Sequence, residues 1–114
     1  MSKNVILLTD TIIGTTEEKS LGEQLLTGFL YSLCNLEEDL LPSHIILYSN
    51  AALLVNGKDQ ILDHFKELES KKVDIIICGA CVEFFKLEKI PFGRVSNMYE
   101  IVEIMSSSAK VIRP

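Results

Sequence analysis

The chain has 114 residues, 47% of them apolar and only 7% aromatic, with no Trp. This composition fits one domain spanning 1–114, with an aliphatic core that needs neither disulfides nor metal, and it excludes a disordered chain. The net charge of -5 excludes the basic face of a nucleic-acid binder and electrostatic attachment to an acidic membrane surface.

The chain opens on Val5-Ile6-Leu7-Leu8, a continuous apolar run of the kind a strand shows when it is covered on both faces. Thr9 and Asp10 end it too soon for a secretory signal, so the cytoplasm is the expected address. A long helix follows in "EEKSLGEQLLTGFLYSLCNLEEDL". There Leu21, Leu25, Phe29 and Leu33 form one apolar row and Leu26, Leu30 and Cys34 a second. Ile45 to Tyr48 reads as a second strand. In "KDQILDHFKELESKK", Ile61, Leu62, Phe65 and Leu68 share a helical face. Val73 to Ile77 is a third strand and "CGACVEFF" the start of another helix. A fourth strand is expected near Gly93 to Ser96. A helix with Met98, Ile101, Val102 and Met105 together comes next, and a last strand at Val111-Ile112. Asn97 is placed to cap that helix, with Glu100 reaching back in a capping box. Strand and helix alternate throughout, which predicts an α/β fold with a single, mostly parallel sheet and helices on both faces.

In such a sheet ligands bind beyond the carboxyl ends of the strands. The segments there are Thr9-Asp10-Thr11 with its glycine-containing loop, Ser49-Asn50-Ala51, Cys78-Gly79-Ala80-Cys81 and Ser96-Asn97. All are small or polar, and they should converge on one edge. Of these, Asp10, Asn50, Gly79, Ala80 and Asn97 are candidate lining residues. Loops are polar for other reasons, but the thiols add something further. Cys78 falls at a strand end and Cys81 in the first turn of a helix, where free N–H groups stabilise a thiolate. The pair can carry sulfur, act as a redox couple, hold half of a metal site or simply pack. Cys34 sits on an apolar helical row and reads as core. No second C-x-x-C or H-x-x-x-H accompanies the motif, so no metal is expected; His44 and His64 read as solvated. The loop after the first strand lacks a phosphate-binding glycine pattern, and no cofactor is expected. Two apolar stretches lie in loops: Ile12-Ile13 is expected to cover the thiols or to meet a neighbouring chain, and Ala51 to Val55 to bury against a neighbouring chain.

Three stretches carry a resemblance: "VILLTD" with "EEKSLGEQLLTGFLYSL", "CGACVEFFKLEK", and "GRVSNMYEIVEIMSSSAKVIRP". Together they resemble the DsrE/DsrF-like family, and most of all the C-terminal domain of the sulfurtransferase-like selenium-metabolism proteins called YedF. The resemblance implies a flavodoxin-like or Rossmann-like layer and a small cytoplasmic homo-oligomer. It also implies sulfur or selenium handling, with a donor or acceptor protein of the TusA-like kind as partner. By position, the persulfide-carrying cysteine of relay members corresponds to Cys78, with Cys81 one turn on.

The leading expectation is therefore a sulfurtransferase-like carrier that holds sulfur or selenium as a cysteine persulfide. Cys78 is its acceptor and Cys81 its assistant, or the reverse, since Cys81 has the better helix-terminus position. The rivals are a non-catalytic oligomeric interaction module and a C-x-x-C dithiol redox protein. The thioredoxin-type arrangement would place the motif earlier in the chain.

Overall fold

A computed structural model describes all 114 residues. Five strands form one sheet: β1 (Asn4–Leu8), β2 (His44–Leu47), β3 (Asp74–Cys78), β4 (Arg94–Ser96) and β5 (Lys110–Ile112). The order is β4-β3-β2-β1-β5 and every pairing is parallel. The helices are α1 (Lys19–Cys34), α2 (Asp59–Ser70), α3 (Gly79–Phe84) and α4 (Met98–Ser107). The expected elements all form, although the first helix stops at Cys34 and the end of its stretch, Glu38–Leu40, makes a separate 3-10 turn; the expected mostly parallel sheet is wholly parallel.

The pleat explains why the strand runs are apolar without interruption. Ile6, Leu8, Ile45, Leu47, Ile75 and Ile77 point to one face, where they pack against Leu26, Leu30, Ile61, Phe65 and Leu68 of α1 and α2. Val5, Leu7, Ile46, Ile76 and Cys78 point to the other, against Ile101 of α4. One face therefore carries the main core, and the other is covered by a single ten-residue helix. No helix is long and apolar enough to cross a membrane.

The helix faces differ from expectation in detail. On α1 the row Leu26, Leu30 and Cys34 is buried with Leu33, whereas Leu21 and Leu25 stay largely exposed. On α4 only Ile101 is fully buried, while Met98 and Val102 remain near half exposed. Asn97 caps α4 by accepting the Glu100 N–H at 2.9 Å. The Glu100 carboxylate does not complete the box. It turns instead to Arg94, which offers a stronger, bidentate partner at 2.8 and 3.0 Å.

Both apolar loop stretches turn inward. Ala51, Ala52, Leu54 and Val55 belong to a 3-10 segment, Ser49–Asn56, and are buried in the main core. They are neither an exposed loop nor a contact surface. Ile13 packs against the same core, and Ile12 lies on Gly22, where an added Cβ would sit 2.6 Å from the Ile12 Cβ. The loop after β1 is thereby pinned to α1 rather than poised over the thiols.

Candidate functional site

The site is built where β3 stops. Cys78 ends the strand with extended backbone and α3 begins at once with Gly79. Strand alternation turns the Cys78 side chain to the α4 face beside Ile76, and it is 2% exposed. Gly79 is needed for close packing, because an added Cβ would stand 3.0 Å from the Ser96 carbonyl oxygen of β4. One turn on, Cys81 is partly exposed and borders both apolar clusters. The two thiols are thus unequal: one is sheltered and one is open.

A third element meets them. The backbone N–H of Ser49, the first residue after Tyr48 at the end of β2, donates to Cys81 Sγ at 3.2 Å. Ser49 has φ 57, a left-handed conformation that is uncommon outside glycine and asparagine. Burial pushes the Cys81 thiol up, the Ser49 N–H pulls it down, and hydrogen bonding and charge from Cys78 push it up again. The net direction is upward. The expectation that a helix start would favour the thiolate at Cys81 is outweighed by its apolar surroundings.

The other candidates divide. Gly79 and Ala80 lie between the thiols, and Asn50 follows Ser49 and is exposed. Asn97 is occupied as the cap of α4. Asp10 accepts the Thr11 N–H at 2.7 Å and so closes its own turn at the end of β1, with β2 between it and β3. Ser49 was legible only as a polar residue after a strand; nothing in a serine announces positive φ. Cys34 is core, 3% exposed, with its Sγ 3.5 Å from the His64 carbonyl oxygen. Burial and Glu67 push its thiol up.

The histidines are less solvated than expected. His44 opens β2 at the end of the sheet opposite the thiols, with Nε2 3.6 Å from Asp74. His64 is partly buried and lies edge-on to Tyr31, with ring centroids 6.0 Å apart. A cleft of about 180 Å³ between α1 and α2, lined by Thr11, Glu23, Leu26, Leu54, Lys58 and Ile61, does not include the thiols.

The model of the DsrE/DsrF-like family matches residues 23–114, a span that holds most of α1, everything from there through β5, and both thiols. The chain belongs to the DsrE/DsrF-like family. That family is associated with sulfur relay. No curated protein sequence matches the chain. Among solved structures, the ychN protein from E. coli superimposes with a TM-score of 0.65 at 15% identity, covering 100% of both chains. A conserved protein of unknown function, BT1422 from Bacteroides thetaiotaomicron, does so with a TM-score of 0.67 at 20% identity, covering 98% of this chain and 95% of the other. At these identities the likeness is one of fold: the two structures share the α/β architecture found here.

Proposed function

We propose that this DsrE/DsrF-like protein is a sulfur or selenium carrier of the YedF-like kind and that Cys81 is its acceptor. The observation that carries this reading is the unequal thiol pair at the carboxyl edge of β3. Cys81 is open to a partner and receives an N–H on its sulfur, while Cys78 is almost wholly covered. Accessibility thus favours Cys81, the reverse of the assignment carried by family position. The Cys81 thiolate attacks the outer sulfur of a donor persulfide. The donor's S–S bond breaks, the donor leaves as a thiolate, and Cys81 becomes a persulfide. An acceptor thiolate then takes that outer sulfur and restores the Cys81 thiolate. When no acceptor arrives, the Cys78 thiolate attacks the inner sulfur, forming a Cys78–Cys81 disulfide and releasing hydrosulfide. A thiol reductant reopens the disulfide. Such chemistry suits the cytoplasm, where thiols are kept reduced, and a TusA-like donor or acceptor as partner.

Intact-mass measurement after incubation with a persulfide donor, without reductant, tests the reading. Cys78→Ser should gain and keep one sulfur, the wild type should gain it and then pass to the Cys78–Cys81 disulfide, two hydrogens lighter than the dithiol, and Cys81→Ser should do neither. Unchanged loading in Cys81→Ser would move the acceptor role to Cys78, and no loading in any form would end the carrier reading.

A second reading has its own observation. On α4, Met98, Tyr99 and Val102 are 48%, 77% and 49% exposed, an apolar outer surface on a helix whose inner side already packs. This favours a homo-oligomeric interaction module, and a fixed oligomer mass with unreactive thiols would support it.

A further inference from the structure

We infer that Ser49 is a positioning residue for Cys81, acting through its backbone N–H, and that its left-handed conformation exists to aim that N–H at the sulfur. The inference rests on the carrier reading for its purpose, but its chemistry stands on geometry alone. β2 and β3 are neighbours in register, Leu47 beside Ile77, so their carboxyl ends lie side by side. The chain leaving β2 therefore passes the first turn of α3. There it bends at Ser49, with φ 57, and the N–H meets Cys81 Sγ at 3.2 Å.

The bend is held from both sides. Tyr48 donates its N–H to the Leu8 carbonyl at 3.2 Å, and Ala51 donates to the Tyr48 carbonyl at 3.2 Å while being fully buried. A non-glycine residue in this region costs free energy, and such residues persist where the surroundings over-determine them. Here the fixed N–H opposes the burial of Cys81. A hydrogen bond to the charged form favours the thiolate, the form that attacks sulfur. Because the contact is made by the backbone, the side chain at 49 matters only in so far as it tolerates the bend.

The test is the pH profile of iodoacetamide alkylation at Cys81, read by peptide mass spectrometry on the full chain with Cys78 intact. Three forms are compared with the wild type: Ser49→Gly, Ser49→Val, and a chain in which the Tyr48–Ser49 amide is replaced by an ester. Circular dichroism confirms that each is folded. Glycine accepts the bend and keeps the N–H, so its profile should stay within about twofold of wild type. The ester removes the N–H and, as its one other change, weakens the Tyr48 carbonyl as acceptor for Ala51, so amide exchange at Ala51 is read beside the profile to show that the bend is kept. The ester's midpoint should rise by about one pH unit and its rate at neutral pH should fall about tenfold. Valine resists the left-handed region and should shift the profile in the same direction; if it unfolds, the ester decides. An unchanged profile for the ester, or a glycine shift as large as the ester's, overturns the inference. The two readings fail separately. Sulfur loading of Cys78→Ser with an unmoved ester profile leaves the carrier without this device. A moved profile with no loading in any form leaves the device without the carrier.

Discussion

At the residue scale, small side chains do the most consequential work. Gly22 is buried in α1 beneath Ile12, and the 2.6 Å approach of an added Cβ to the Ile12 Cβ leaves no flexible end to swing away. Gly22→Ala should therefore lose about 1–3 kcal/mol by overpacking, despite alanine's higher helix propensity, and urea melts will read it. The loop after β1 should loosen at the same time, with faster amide exchange at Ile13, whose N–H is bonded to the Gly22 carbonyl at 3.3 Å. Cys78 and Cys81 illustrate the same dependence on small distances. Three positions separate them, yet strand alternation covers one while the helical turn leaves the other open.

At the scale of elements, the junction of β3, β4 and α4 is held by charge as well as by packing. Arg94 forks onto Asp74 of β3, at 2.9 Å through both Nε and Nη2, and onto Glu100 of α4. Asp74 and Glu100 hydrogen bonds raise the Arg94 guanidinium's pKa well above its ordinary value. Arg94, then the Ser96 hydroxyl, hold the Glu100 carboxyl down at about 2. A carboxyl whose folded value is depressed contributes stability in full above its unfolded value and loses it as pH falls toward the folded one. The melting temperature of the wild type should therefore exceed that of Glu100→Gln at neutral pH. The gap should close between about pH 4.5 and 2. Because the group is partly exposed, added salt should narrow it too.

At the scale of the whole molecule, stability is concentrated on one face of the sheet. Phe65 of α2 and Phe92, just before β4, stack with centroids 4.3 Å apart and planes 8° from parallel, both buried. Phe92→Ala should cost about 3–5 kcal/mol, because it removes a ring from the main core and strands its partner. Cooperative denaturant unfolding checks this, with a lowered midpoint and an unchanged slope expected. By itself the sequence determined the alternation of elements and the parallel sheet, because both are written in local periodicity. Val5 to Leu8 and Ile75 to Ile77 are apolar at every position, as strands covered on two faces must be. It also put the thiols at the end of β3, since a motif following an apolar run needs no long-range information. Only the tertiary structure decided which helical rows are buried, why Ala51 to Val55 turn inward, and which thiol is open. It alone brought Ser49 to Cys81, 32 residues away, because β2 and β3 end side by side. Periodicity specifies which face of an element is apolar; what that face meets, and the backbone angles at the junctions, depend on contacts between segments far apart in the chain.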